Sequence, residues 1–143
     1  MKSKKIGSQP DAYVLIFEVG DELASVLDTF AREHDLSASS FKAIGALSSA
    51  RLGWYNPDTR QYETAVALDE QLELVSLTGD IGKLDGVPTV HAHMVVGRHD
   101  GSTAAGHLLH AIVHPTTELF LTEYPTPLVK EHVDEFNLNL FKP

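Results

Sequence analysis

Alternating and continuous apolar runs dominate the chain, and they predict strands along most of its length. Ala12 to Val19 (AYVLIFEV) is a β-rich apolar run of the kind found in a central strand covered on both faces. Gly20-Asp21 ends it, and Asp21 is a candidate N-cap for a helix over DELASVLDTFAREHD. Leu23, Val26, Leu27 and Phe30 fall at i, i+3, i+4 and i+7, which gives that helix one buried stripe. From Ser39 the pattern returns to β. Ala43, Gly45 and Leu47 alternate with Ile44 and Ala46, and Asn56-Pro57-Asp58-Thr59 marks the turn of a hairpin over WYNPDTRQYETAV. Leu72, Leu74 and Ser76 alternate with Glu73, Val75 and Leu77 in a strand ending at Gly79, and KLDGVP turns the chain into the next one.

The stretch from Pro88 to Leu121 carries two further strands, PTVHAHMVV and GHLLHAIV, around the polar turn RHDGSTAA. TTELFLTE (Thr116 to Glu123) then reads as a separate strand that Pro125 and Pro127 break, with Leu119 and Leu121 on one face. The tail LVKEHVDEFNLNLFKP predicts a helical turn around Val129 to Glu135 and a short strand after it. Together these elements predict an α+β domain: a mainly antiparallel β-sheet with one long N-terminal helix packed on it. Residues 1–11 read as a flexible leader and residues 12–143 as a single domain.

Histidine placement adds chemistry to this pattern. Residues i and i+2 of a strand share a face, so His91 and His93 project together, opposite Val90, Ala92, Met94 and Val96. If the two strands pair across the turn, His107 sits opposite His93, with directly opposed Cβ atoms about 5 Å apart. Three imidazoles with an open fourth position form a usual zinc layout. Nickel or copper also suits nitrogen donors. Eight histidines in 143 residues keep a polar surface cluster as the competing explanation. The histidines' own strand face and Gly106 beside His107 favour the metal. His110 and His114 fall out of step with His107 and stay outside the site, as do His34 and His132. Trp54, Tyr55 and Tyr62 read first as cover for a sheet or an interface and second as the frame of a ligand pocket.

Composition narrows the partners. The formal net charge is −9, from 11 basic and 20 acidic residues. Affinity for nucleic acid comes largely from neutralising phosphates, so this balance disfavours sequence-independent DNA binding. Lys42, Arg51, Arg60 and Arg98 are the candidates for a local basic patch. There is no cysteine, hence no disulfide or thiolate site. MKSKKIGSQPD lacks a secretory h-region, and no apolar run approaches the ~20 residues of a membrane span. A cytoplasmic chain without membrane contact is expected.

The segments GALSSARLGWYNP, LELVSLTGDIG and PTVHAHMVVGRHDGSTAAGHLLHAIVHPTTELFLTE together resemble the plants-and-prokaryotes-conserved (PPC) domain, over about Tyr13 to Phe141. The resemblance implies a stand-alone prokaryotic type that assembles as a homotrimer. It also implies a metal, zinc first, at the positions that are His91, His93 and His107 here. Plant members carry an AT-hook and act as DNA-binding regulators. This chain has no Arg-Gly-Arg-Pro core. The plant motif Gly-Arg-Phe-Glu-Ile-Leu falls on Glu70 to Val75 (EQLELV), with only Glu73 identical, and Ala105 stands where many members have a second glycine. A trimeric metal-binding module with a DNA-binding or regulatory role follows from the resemblance. A zinc-dependent hydrolase is one alternative, with Glu118, Asp100 and Glu123 as the carboxylates nearest in sequence. A sensor binding a small anionic ligand at the metal is the other.

Overall fold

The computed structural model describes residues 1–8 and 10–142, with the side chains of residues 3–8 outside that description. Strand β1 (Lys2–Ser8) pairs antiparallel with β2 (Asp11–Phe17). The leader expected to be flexible therefore carries a strand, and Gln9 within it lies outside the described residues. Helix α1 (Leu23–Glu33) comes next. It is followed by β3 (Ala38–Asn56), β4 (Gln61–Leu68), β5 (Leu72–Leu84) and β6 (Val87–Gly97). Strands β7 (Thr103–Glu123), β8 (Val129–Val133) and β9 (Leu138–Lys142) complete the described chain. Among the described strands every pairing is antiparallel except β5 with β8, so the expected mainly antiparallel sheet is present.

The helix is short rather than long, at 11 residues, and local hydrogen bonds set both ends. Glu22 takes the N-cap expected of Asp21: its carboxylate accepts the N–H of Ala24 at 3.3 Å and of Ser25 at 2.7 Å. Asp21 instead accepts the Glu18 N–H at 2.9 Å. At the other end Asp35 turns left-handed (φ 50°). Its N–H reaches the Arg32 carbonyl, and the Leu36 N–H reaches that of Ala31 at 2.9 Å. This is a Schellman closure with aspartate in the usual glycine position. Leu23, Leu27, Phe30 and Ala31 are buried, close to the predicted stripe.

The helix lies against β6 and β7, over Ala92, Met94 and Val96. The histidine face of β6 is therefore the face turned away from the helix. Pairings β3–β5, β5–β6, β6–β7 and β7–β3 form a closed circuit. Two very long strands make this possible. Strand β7 has 21 residues and runs unbroken from the histidine hairpin through TTELFLTE, pairing with β6 near its start and with β2 near its end. Likewise β3, with 19 residues, pairs with β4 at one end and β5 at the other.

Other boundaries shift. Strand β5 continues past Gly79 to Leu84, and the turn into β6 is Asp85-Gly86, with φ of 50° and 80°. Two left-handed residues in a two-residue loop match the right-handed twist of the strands they join. The tail forms a β8–β9 hairpin where a helical turn was expected. Pairing of Lys83 with Val129 and of Lys130 with Phe141 supplies backbone partners that outweigh the local helical preference. Strand β2, expected to be covered on both faces, buries Tyr13, Leu15 and Phe17 but leaves Val14 and Ile16 half-buried in the single chain. Among the described residues no helix is long and apolar enough to cross a membrane.

Candidate metal centre

The polar turn between β6 and β7 closes on two backbone hydrogen bonds: Arg98 N–H to the Ser102 carbonyl at 2.8 Å, and Gly101 N–H to that of Arg98 at 2.9 Å. The ladder beyond the turn places His93 directly opposite His107. Strand β7 approaches β3 closely at this point. A Cβ on Gly106 would lie 2.6 Å from the Gly53 carbonyl oxygen, and Gly53 itself pairs with His107. Glycine at 106 is thus what lets His107 sit at the junction of β3, β6 and β7.

The three rings form a nearly equilateral group, with centroids 5.1 Å apart for His91 and His93, 5.2 Å for His93 and His107, and 5.3 Å for His91 and His107. One ligating nitrogen from each lies within 4.8 Å of the others. Burial holds the His107 imidazole well below its ordinary value, at about 4, with the neighbouring His91 and His93 adding to the effect. His93 is lowered too, by burial and then by His91. Both are therefore in the neutral, ligating form at neutral pH. His107 Nδ1 is buried without a hydrogen-bond partner, a costly arrangement for a polar atom. A cation bound through that nitrogen would remove the cost, and three ring nitrogens within 4.8 Å of one another suit one, so the donor set fits a metal.

Asp80 stands behind the triad on β5, paired across the ladder with His91. Its Oδ2 is 3.4 Å from His91 Nδ1, and its Oδ1 is 2.7 Å from Lys130 Nζ. Burial alone would raise the Asp80 carboxyl, but His91 and Lys130 outweigh it and hold the group below the usual carboxylate range. Lys130 is itself only 4% exposed. Its ammonium also donates to the Thr89 carbonyl at 3.3 Å and lies 4.8 Å from the Phe141 ring centroid. A carboxylate behind a ligating histidine fixes the ring's orientation and tautomer.

Tyr62, on β4, stacks on His107 with centroids 3.9 Å apart and planes at 17°. It frames the site, where cover for the sheet was the first expectation. Tyr55 packs edge-on against Tyr62, and Trp54 is 57% exposed. Asp80 and Lys130 were not singled out in the sequence. The Asp-Gly turn could have revealed Asp80, because a two-residue loop at 85–86 puts residue 80 opposite residue 91. No comparable signal marks Lys130.

The remaining candidates lie elsewhere. Asp100 accepts hydrogen bonds from Ser102 within the β6–β7 turn. Glu123 binds the Ser37 and Ala38 N–H groups and the Ser39 hydroxyl. Glu118 lines a separate surface depression with Ile44 and Val75. His110 lies 3.4 Å from Glu22, and His114 is 3.1 Å from Gln71 Oε1. Arg51 binds both oxygens of Asp69, at 2.7 and 2.9 Å, and Arg98 pairs with Glu70 at 2.8 Å.

A family model described as the Plants and Prokaryotes Conserved (PCC) domain matches residues 4–125. Several solved structures share the fold over nearly the whole chain. A candidate DNA-binding protein from Bacteroides thetaiotaomicron is 30% identical, with a TM-score of 0.91, covering 99% of this chain and 96% of its own. A plant- and prokaryote-conserved protein from Pyrococcus horikoshii is 26% identical, with a TM-score of 0.84 and coverage of 92% and 91%. A metal-containing protein from Archaeoglobus fulgidus is 26% identical, with a TM-score of 0.83 and coverage of 99% and 97%. No curated protein matches the chain.

Proposed function

The chain belongs to the Plants and Prokaryotes Conserved domain family, and from that premise we propose that it is a homotrimeric metal-binding regulatory module. Zinc is the metal we assign, held by His91, His93 and His107. The observation that carries this reading is the meeting of three imidazoles from two paired strands, with one ring nitrogen of each within 4.8 Å of the others. The Archaeoglobus relative, described as metal-containing, supports it. Zinc with three protein ligands and an open position would supply a Lewis acid and lower the pKa of bound water to near 7. Asp80 orients His91, and Tyr62 covers one face of His107.

The trimer rests on the family resemblance and on apolar side chains that the single chain leaves uncovered. Ile44 is 63% exposed, Val75 53% and Phe120 49%, all from strands of the central sheet and all on its outer face. Contiguous exposed apolar surface of this kind marks an association site. We place the protein in the cytoplasm, as one domain to which strand β1 of the expected leader also belongs.

DNA binding is suggested by the description of the Bacteroides relative. In this chain it is a weak, non-specific contact, because Arg51 and Arg98 are already neutralised by Asp69 and Glu70 and the net charge is −9. The hydrolase alternative loses its general base, since Asp80 is committed to His91 and Lys130 and the other three candidates lie elsewhere. The sensor alternative gains from a cavity beside the triad. Elemental analysis and light scattering of the purified chain test the main proposal. One transition-metal ion per chain and a trimer mass are expected; a metal-free monomer overturns it.

A further inference from the structure

A cleft opens beside the triad, between His91 and His107 on one side and the β8–β9 hairpin on the other. The hairpin lies beyond the 4–125 region that the family model matches. The cleft's volume is about 300 Å³, room for roughly ten waters at ~30 Å³ each, or for a ligand of about that many non-hydrogen atoms. Its lining sets the polar side chains of Tyr62, Thr89, Asn137 and Asn139 among the apolar ones of Val90, Leu138 and Leu140. Several of these groups retain unused capacity. Asn139 offers Oδ1 to His132 Nδ1 at 3.0 Å, which leaves its amide N–H groups free. Asn137 donates to the Arg60 carbonyl at 3.0 Å, which leaves its Oδ1 free. The Tyr62 hydroxyl has no hydrogen-bond partner among the described residues, and the Thr89 hydroxyl, donating to the Val87 carbonyl at 3.1 Å, can still accept.

Charge selects the ligand. Neutral imidazoles add nothing, and Asp80 and Lys130 cancel, so a divalent metal makes the floor of the cleft cationic. The open coordination position therefore favours an anionic oxygen. A phosphate dianion calls for several cationic or backbone N–H donors around it. Here the one lysine lining the cleft is paired with Asp80, and no helix begins there.

We propose that this cleft binds a small polar carboxylate, with its carboxylate at the metal and its hydroxyl or amide groups against Tyr62, Thr89, Asn137 and Asn139. The assignment rests on the metal reading above and extends it to a ligand class. The test uses the trimeric chain loaded with cobalt(II), whose visible absorption reports a new oxygen ligand. The probes are lactate, propionate and inorganic phosphate. Lactate, which adds only a hydroxyl to propionate, should perturb the cobalt bands and bind about tenfold more tightly, the value of one or two good hydrogen bonds. Asn139→Leu on the exposed hairpin, or Thr89→Val as a second variant, should remove that margin without changing cobalt stoichiometry. Cobalt uptake with no response to lactate overturns this assignment alone. So does equal binding of lactate and propionate, tighter binding of phosphate, or an unchanged margin in both variants. Failure to take up cobalt overturns the metal reading, and this one with it.

Discussion

His91 and Asp80 face one another across the β5–β6 ladder, with His91 Nδ1 3.4 Å from Asp80 Oδ2. The carboxylate holds the Nδ1 side of the ring and leaves Nε2 for a metal. Lys130 secures the other oxygen at 2.7 Å, so the C-terminal hairpin braces a histidine on the sheet.

Asp80→Asn should therefore weaken metal affinity by about 10–100-fold, the usual effect of removing a partner behind a ligating histidine. It also leaves Lys130 buried without its counter-ion, which costs about 3–5 kcal/mol when such a pair is broken from one side. Adding Lys130→Met should recover thermal stability but not affinity. Chelator competition and thermal melts of both variants separate the two effects, and recovery of affinity in the double variant would contradict the orienting role.

His93→Ala should abolish most metal uptake, whereas His34→Ala and His132→Ala should leave it unchanged. His34 packs against Phe30, with ring centroids 4.1 Å apart, and His132 lies 3.0 Å from Asn139, both outside the triad. Elemental analysis of the three variants decides this. Full stoichiometry in His93→Ala would place the metal elsewhere.

Acid should act on the site in two ways. Imidazole must be neutral to ligate, and burial holds His93 and His107 below the ordinary imidazole value, so metal affinity should fall only once pH drops below ~6.5, towards 4. The metal-free fold should respond as well. His107 titrates at about 4 in the folded chain, depressed by burial and by its histidine neighbours, against ~6.5 when unfolded. Between those values the unfolded chain binds more protons, so folding stability is lost as pH falls from ~6.5 towards 4. Denaturant titrations of metal-free wild type and His107→Gln should show this slope in the first and a shallower one in the second.

Placing a charge on the outer sheet face should dissociate the assembly. Phe120→Asp, at a side chain 49% exposed in the single chain, adds no buried charge to the monomer. A shift from trimer to monomer in light scattering is expected, with the far-UV spectrum unchanged. A persistent trimer would show that another surface mediates assembly.

Duplex DNA should bind no more tightly than about 10⁻⁵ M at physiological salt, near the range of non-specific contact. A fluorescence titration yielding nanomolar, sequence-selective binding would restore a DNA-reading role.

Much of this was legible in the pattern of residues, for identifiable reasons. Strict alternation in VHAHMVV separates His91 and His93 from Ala92 and Met94, and a short polar turn brings His107 into register with His93. What escaped was non-local or bulged. Leu47, Ser49 and Leu52 sit at register shifts between β3 and β7, and such shifts let two strands of 19 and 21 residues bend between partners. Fragments of one strand then read as separate strands. Lys130 was illegible because its partner lies on β5, and nothing in VKEHV announces a buried ammonium. The helix end was obscured because aspartate at position 35 does the work usually given to glycine.

The division of β6 into a helix-packed face and a histidine face has a consequence for descent. Ala92, Met94 and Val96 answer to the core, while His91 and His93 stand outside it, His91 held by Asp80 and both turned to the outer surface. Replacing the histidines costs the core no packing, so a lineage can lose the metal and keep the architecture. The same strand can then carry different chemistry in different descendants, and likeness of fold alone is a poor guide to whether a relative holds an ion.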